Sequence, residues 1–233
     1  MAAEGETLAG AVVAIDLDGT LVDTAHDLVG TLNWLLAEEG VAPLSLEDAR
    51  PFIGRGARWL IERGFLAADA PLAPERVPLL FDRFIARYED HIADDSRPFP
   101  GAVAALETLK AQGAKLCVCT NKLTGLSITL LDALDLSRLF DAVIGADATP
   151  AVKPDPRHIE AAVAAVGGSM SRAVMVGDAA TDAGAARAAN VPLILVSFGY
   201  TEVPASELAP DMLIDRFDQL PDAVARLLGT GSR

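Results

Sequence analysis

The order in which strand and helix patterns follow one another limits the fold of this chain most strongly. From about Pro100 onward, short apolar runs typical of strands alternate with segments of helical periodicity. These runs are KLCVCT, DAVIGA, AVMVGD, PLILVS and DMLID, and another, AVVAID, stands near the amino terminus. Continuous apolar strands separated by helices are typical of a parallel sheet covered on both faces. The sequence therefore predicts an α/β fold with a doubly wound, mostly parallel sheet.

A long helical segment separates the first predicted strand from the others. Between Asp23 and Arg97 no convincing strand pattern occurs, whereas TAHDLVGTLNWLLAEEG, ARWLIERGF and LLFDRFIARYEDHI have helical periodicity. The stretch RPFPG that follows resembles a linker back to the sheet. We therefore predict a core formed by residues 1–22 and 98–233 and an inserted helical domain formed by residues 23–97. The terminal GTGSR is expected to fray.

Polar residues stand at the ends of three predicted strands. Residues i and i+2 of a strand point the same way, so Asp16 and Asp18 are expected to share a face, and Gly19 permits a sharp turn after them. The other strand ends, and the loop between them, supply Thr120, Asn121, Lys153, Asp178 and Asp182. Because ligands of open α/β sheets bind outside the carboxyl ends of the strands, we expect all of these residues in one site.

Such a site would concentrate negative charge. Two carboxylates about 4 Å apart repel by ~4 kcal/mol at an effective dielectric constant of ~20. The ammonium of Lys153 and a divalent cation would offset this repulsion, and ligation by oxygen alone favours Mg²⁺.

The composition limits the possible binding partners of the protein and its possible cellular compartments. A net charge of -14 repels nucleic acid and anionic membranes, although a local site could still bind an anionic substrate. No apolar run reaches the ~20 residues of a membrane span and no signal peptide is recognisable, so a cytoplasmic protein is expected. Cys117 and Cys119 are expected to be buried free thiols, which suits a reducing compartment.

The strand-end residues carry a resemblance to a known family. Asp16-x-Asp18-Gly19-Thr20, Thr120-Asn121, Lys153-Pro154 and Gly177-Asp178-x-x-x-Asp182 resemble, in the same order, the four motifs of the haloacid dehalogenase superfamily. The resemblance extends over nearly the whole chain and implies a Rossmann-like core with the insertion at 23–97 as a helical cap. The stretches TNK, SFGY and PDMLIDRFDQL are most similar to the phosphoglycolate phosphatases of this superfamily.

The resemblance implies a role for each motif residue. Asp16 would attack phosphorus and form an aspartyl-phosphate, and Asp18 would protonate the leaving alkoxide and then accept a proton from the hydrolytic water. Thr120 and the backbone N–H of Asn121 would hold phosphoryl oxygens, and Lys153 would offset negative charge. The residues expected to hold Mg²⁺ are Asp16, Asp178 and, through its backbone carbonyl, Asp18.

Several residues keep two interpretations at this stage. Asp182 could orient Lys153 or a metal-bound water, or could stabilise the first turn of a helix. Lys122 could contact the substrate or be a solvated surface residue, and Thr20 could merely support a turn. Ala179 stands where relatives often carry a hydroxyl group, and its methyl group cannot supply a hydrogen bond.

The insertion contains one candidate for substrate recognition. In FIGRGARWL, two glycines flank Arg55 and would let the loop approach a ligand closely. We expect Arg55 or a neighbouring backbone N–H, such as that at Gly54, to contact a substrate carboxylate, with Arg58 as the second candidate; Arg55 could equally be a surface residue.

The leading functional hypothesis is a Mg²⁺-dependent phosphatase that acts on a small phosphorylated metabolite, with 2-phosphoglycolate as the favoured substrate. The protein is expected to be a monomer or homodimer. Another small phosphate ester or a phosphomutase reaction on the same scaffold stays open. A dehalogenase is disfavoured because Asp18 has no task when halide leaves without a proton. A non-catalytic binding module is disfavoured because every charged group of the reaction is present.

Overall fold

A computed structural model describes residues 8–229 of the chain. Residues 1–7, at the start of the predicted core, and residues 230–233, which contain most of the tail expected to fray, lie outside the described residues.

The core of the described chain is one sheet of six strands, all parallel to their neighbours. In chain order these strands are β1 (Val12–Ile15), β4 (Lys115–Cys119), β5 (Ala142–Ile144), β6 (Ala173–Gly177), β7 (Leu193–Val196) and β8 (Met212–Ile214). Their spatial order is β5-β4-β1-β6-β7-β8. The six apolar runs of the sequence all form strands of this sheet, so the predicted doubly wound α/β fold is confirmed.

Helices cover both faces of the sheet, as the continuous burial of its central strands requires. Successive residues of β1 point to opposite faces: Val13 and Ile15 join one apolar cluster, Val12 and Ala14 the other. The first cluster is covered by α5 (Ala102–Ala111), α6 (Thr124–Ala133) and α9 (Leu220–Leu228), and the second by α7 (Pro156–Ala165) and α8 (Ala180–Ala189). Cys117 and Cys119 are buried in the second cluster as free thiols.

Residues 24–96, which lie between β1 and α5, are largely helical. They contain α1 (Ala25–Glu38), α2 (Leu46–Ala49), α3 (Ala57–Ala67) and α4 (Val77–Asp90), and α4 packs against both α1 and α3. Leucines of α1 and aromatic residues of α3 and α4, among them Phe65 and Phe84, fill the space between these helices.

Two short strands connect this helical segment to the sheet. The strands β2 (Val22–Asp23) and β3 (Arg97–Pro98) pair antiparallel, so the chain leaves and returns side by side. The sequence predicted no strand from Asp23 to Arg97 and was wrong at both ends, because two residues are too few for a periodic pattern. Within residues 8–229, no helix has both the length and the apolar character needed to cross a bilayer.

Candidate active site

Three adjacent strands of the sheet, β4, β1 and β6, end at the same edge and bring the predicted polar residues together. Asp16 follows β1, Thr120 follows β4 and Asp178 follows β6. Carboxylate oxygens of Asp16, Asp178 and Asp182 lie within 4.8 Å of one another, and all three side chains are buried. Because the strands are parallel, their ends deliver these groups to one crevice, as expected.

Lys153 lies inside this acidic cluster. Its Nζ is 2.9 Å from Asp16 Oδ1 and 2.7 Å from Asp182 Oδ1, and the residue is only 1 % exposed. Burial alone would lower the pKa of Lys153, but the two carboxylates raise it above its usual value and keep the ammonium charged. When all three carboxylates are ionised, they and the one ammonium carry two net negative charges in a buried site.

The Asp16 carboxylate is held through one oxygen. Its Oδ1 accepts the backbone N–H of Leu17 at 2.8 Å and faces Lys153. Its Oδ2 has no hydrogen-bond partner among residues 8–229, and Asp16 lines the cavity described below. Burial raises the pKa of Asp16, Lys153 lowers it and Asp182 raises it, with a net upward shift. One oxygen is therefore fixed while the other remains available for ligation or attack.

Asp178 is fixed from two sides. Its Oδ1 accepts the Thr20 hydroxyl at 2.9 Å, and its Oδ2 accepts the backbone N–H of Tyr200 at 2.6 Å. Thr20 thus contacts a candidate metal ligand in addition to lying in the turn. A Cβ at Gly199 would stand 2.1 Å from the Cβ of Asp178, so only glycine fits there. Burial, Asp182 and Asp16 together raise the pKa of Asp178.

Asp182 combines both arrangements considered from sequence. It lies in the first turn of α8, where Oδ2 accepts the backbone N–H groups of Asp178 and Ala179 at 3.2 and 3.0 Å. Its Oδ1 accepts Lys153 Nζ. These bonds use both oxygens and lock the start of α8 to Lys153. Ala179 takes part through its backbone alone, so the missing hydroxyl leaves this arrangement intact.

Asp18 is held separately from the acidic cluster. Its Oδ1 accepts the Thr24 hydroxyl at 2.8 Å, and Lys122 Nζ lies 2.9 and 3.2 Å from its two oxygens. Lys122 also donates to the Tyr88 hydroxyl of α4 at 2.9 Å. The surface interpretation of Lys122 is wrong, since the residue is 7 % exposed. Burial would lower the pKa of Lys122, but Asp18 and Tyr88 raise it above its usual value.

The side chain of Asn121 links the site to the inserted segment. Its Nδ2 donates to the carbonyls of Gly54 and Lys153, both at 3.1 Å, and its Oδ1 accepts the backbone N–H of Lys153 at 3.0 Å. A Cβ at Gly56 would come within 3.2 Å of the Asn121 carbonyl, which shows how closely the loop approaches. Residues 54–56, here called the glycine loop, therefore contact the site directly, and Gly54 contributes its backbone carbonyl to this contact.

A cavity of about 340 Å³ separates this site from the inserted helices. Asp16, Asp18, Thr120, Asn121 and Lys122 line one side of it, and Gly54, Arg55 and Arg58 line the glycine-loop side. Tyr88 and a set of apolar side chains line most of the rest, the apolar ones being Leu28, Ile53, Ala57, Leu60, Phe81, Phe84, Ile85, Leu123, Leu126, Ala146 and Val152. Arg55 is exposed and stacks over Trp59 at 4.8 Å from the ring centroid. It thus lies at the rim, facing both solvent and cavity.

The donor set fits a hard divalent cation. Asp16 and Asp178 present carboxylate oxygens in a buried site with excess negative charge. A carboxylate oxygen that accepts one hydrogen bond still has a lone pair for a metal, so the bonds to Asp178 do not prevent ligation. Asp182 is the weakest ligand of the three because Lys153 and two backbone N–H groups already engage it.

Sequence reasoning missed three contacts of this site. The Thr24 hydroxyl donates to Asp18, and the backbone N–H of Tyr200 donates to Asp178. The Tyr88 hydroxyl accepts a hydrogen bond from Lys122, the partner of Asp18. Tyr88 and Thr24 belong to the α1–α4 region, whose position over the sheet no local pattern reveals. Tyr200 lies in the SFGY stretch, which carried a family signal but no chemical one.

Comparison with known proteins agrees with this chemistry. Residues 13–196, which run from β1 to the end of β7 and contain all of the strand-end residues, match the haloacid dehalogenase-like hydrolases, and the chain belongs to this family. The resemblance of its motifs is thereby confirmed.

Two named relatives share one description. The phosphoglycolate phosphatase of Caulobacter vibrioides is 60% identical over 221 residues, which cover 95% of this chain and 93% of the relative. That of Agrobacterium fabrum is 44% identical and covers 90% of each chain. The crystal structure of a predicted phosphoglycolate phosphatase from Haemophilus somnus superposes with a TM-score of 0.85 at 28% identity, covering 94% of this chain and 99% of that one.

Proposed function

We propose that this chain is a Mg²⁺-dependent phosphatase that hydrolyses a small phosphate monoester, with 2-phosphoglycolate as the favoured substrate. The observation that carries the proposal is the Asp16 carboxylate, which is fixed through Oδ1 while Oδ2 has no partner among the described residues and the residue lines the cavity. A fixed, buried carboxylate with one available oxygen is suited to nucleophilic attack.

The first half of the reaction transfers the phosphoryl group to the protein. Asp16 Oδ2 forms a bond to phosphorus while the bond to the leaving alkoxide breaks, and Asp18 gives that alkoxide its proton. Lys153 offsets charge on Asp16 and the phosphoryl group, and Thr120 with the Asn121 backbone N–H holds phosphoryl oxygens. Mg²⁺, held by Asp16, Asp178 and the backbone carbonyl of Asp18, would offset the remaining negative charge.

The second half releases phosphate. Asp18, now deprotonated, accepts a proton from a water molecule as the water attacks phosphorus and the bond to Asp16 breaks. Asp182 holds Lys153 in place throughout, since it accepts the ammonium at 2.7 Å.

The substrate follows from the relatives and from the rim of the cavity. Relatives with 60% and 44% identity are described as phosphoglycolate phosphatases. We propose that residues 23–97 act as a cap over the core of residues 1–22 and 98–233. We also propose that Arg55, with the loop at Gly54, binds the substrate carboxylate. The buried free thiols Cys117 and Cys119 suit the reducing cytoplasm, where we place the protein.

A phosphate-release assay over small phosphorylated metabolites with Mg²⁺ tests the proposal. We expect 2-phosphoglycolate to give the highest kcat/KM of the panel. The matched control is Asp16→Asn, which keeps the shape of the nucleophile but should reduce turnover to background. A requirement for a bisphosphate activator, with isomerised ester as the product, would indicate a phosphomutase. No turnover of any ester would contradict the enzymatic assignment.

A further inference from the structure

Lys122 joins the carboxylate of Asp18 to a helix of the inserted segment. Its Nζ lies 2.9 and 3.2 Å from the two oxygens of Asp18 and 2.9 Å from the hydroxyl of Tyr88, which belongs to α4. The ammonium also lies 4.4 Å from the centroid of the Tyr88 ring. The Lys122 side chain is 5% exposed, so water competes little for these contacts.

We propose that Lys122 and Tyr88 form a positioning pair through which the inserted helix α4 orients the acid–base carboxylate of Asp18. The inference rests on the proposed phosphatase function and deepens it. Lys122 and Tyr88 are positioning residues, because they act on the substrate through Asp18.

The contacts of Asp18 support this assignment. Thr24, which immediately precedes α1, donates to Asp18 Oδ1 at 2.8 Å, while Lys122 approaches both oxygens. A carboxylate held by two such groups loses most of its freedom to rotate. Lys122 follows β4 and is directed by Tyr88, so the position of α4 over the sheet determines where the ammonium holds Asp18.

Two other roles of Lys122 would leave a different kinetic pattern. An ammonium that stabilises the phosphoryl group directly would matter for every phosphate ester. One that reads a substrate carboxylate would matter only for esters that contain a carboxylate. A residue that positions the acid matters for any ester whose alkoxide needs a proton, and little for one whose leaving group departs as a stable anion.

Three substrates separate these roles: 2-phosphoglycolate, glycerol phosphate and p-nitrophenyl phosphate. The first two have alkoxide leaving groups and only the first carries a carboxylate, whereas nitrophenolate leaves without a proton. The parameter to compare is kcat/KM, because it reports steps up to the first irreversible one, the transfer to Asp16, and excludes the later use of Asp18 as a base.

For Lys122→Met we expect kcat/KM to fall about 10- to 100-fold on both alkyl phosphates. This loss is smaller than the full contribution of general acid catalysis, which is ~10²–10⁴-fold, because Asp18 itself remains. On p-nitrophenyl phosphate we expect a change below about 3-fold. A similar loss on all three substrates, a loss on 2-phosphoglycolate alone, or no loss would each overturn the proposal. Lys110→Met, which removes a lysine paired with Asp141 at the surface, is the control of equal charge.

Tyr88→Phe tests the connection to α4 while keeping the aromatic ring. We expect a loss of about 3- to 10-fold, again confined to the alkyl phosphates, and no further loss when Tyr88→Phe is added to Lys122→Met. Independent, multiplying losses would refute the pairing. If Lys122→Met does not fold by circular dichroism, Tyr88→Phe alone must show the same substrate pattern, and its absence overturns the proposal.

The failure of the inference can be told from the failure of the proposed function. If the unaltered protein releases phosphate from none of the three esters, the phosphatase assignment is wrong. If the unaltered protein is active and the variants lack the alkyl-specific loss, only the positioning role is wrong.

Discussion

The hydrogen bonds of Asn121 predict that its truncation weakens both the fold and the reaction. In Asn121→Ala, three hydrogen bonds disappear: two that Nδ2 donates, to the Gly54 and Lys153 carbonyls, and one that Oδ1 accepts from the Lys153 N–H. The Lys153 N–H keeps His158 Nδ1 as an acceptor at 3.2 Å, so this group stays paired. The two carbonyls lose the bond from Asn121.

Three bonds at about 1 kcal/mol each, with one group still paired, correspond to a loss of about 2–3 kcal/mol in the free energy of unfolding. A domain of this size loses about 2–4 °C in Tm per kcal/mol, so Tm should fall by about 4–12 °C. Thermal and urea unfolding followed by circular dichroism measure this loss. Because Lys153 and the glycine loop are no longer held together, kcat/KM should fall about 10- to 100-fold.

Asn33→Ala is the matched control. The Asn33 amide makes two such bonds, one fewer than Asn121, both to the backbone of Leu44 at 2.9 Å, and it lies within the inserted segment away from the site. Asn33→Ala should lose about 2 kcal/mol in the free energy of unfolding and retain kcat/KM within about 3-fold. If Asn121→Ala keeps its activity as well as Asn33→Ala does, Asn121 only stabilises the fold and its part in arranging the site is refuted.

Three further predictions concern the metal, the rim of the cavity and a buried histidine. Mg²⁺ at 100 times its Kd should stabilise the protein by about 2.7 kcal/mol and raise Tm, Asp178→Asn should abolish this shift, and EDTA should abolish activity; full activity after chelation would contradict the metal assignment. Arg55→Ala should lower kcat/KM on 2-phosphoglycolate about 10- to 150-fold and spare p-nitrophenyl phosphate, whereas Arg63→Ala, which also stacks on Trp59 at 5.4 Å, should spare both; equal losses on the two substrates would refute carboxylate recognition. Burial, with a contribution from Lys153, lowers the pKa of His158 to about 4. The unfolded chain therefore takes up the proton first as the pH falls below about 6.5, and up to about 3 kcal/mol of stability is lost between there and pH 4. Urea unfolding of His158→Gln across this range should show a shallower fall, and an unchanged one would contradict the shift.

Much of the fold could be predicted because it depends on local patterns. Each of the six sheet strands is a short apolar run, and in the central strands β1, β4, β6 and β7 burial on both faces makes that run continuous. The pair β2 and β3 could not be predicted, since two residues per strand show no periodicity and their pairing depends on where the inserted segment returns. The domain boundaries at 22/23 and 97/98 stay predictions that fall within these two strands.

The candidate site likewise contains residues that could be predicted from local patterns and contacts that could not. Asp16, Thr120 and Asp178 could be brought together from sequence because each follows a strand of a parallel sheet, whose edge is common to all of them. The contacts of Lys122 could not, because they depend on the reach of a long side chain and on Tyr88 of α4. No pattern in either segment records how closely α4 approaches the sheet.

A single-turnover experiment tests the nucleophile most directly. The protein with Mg²⁺ is mixed with less than one equivalent of 2-phosphoglycolate, quenched in acid within milliseconds, digested, and analysed by mass spectrometry for a phosphorylated peptide. We predict a transient, acid-stable phosphoryl group on Asp16 that disappears as phosphate is released, and no such group in Asp16→Asn. Phosphate release without any modified peptide, or a phosphoryl group on another residue, would contradict it.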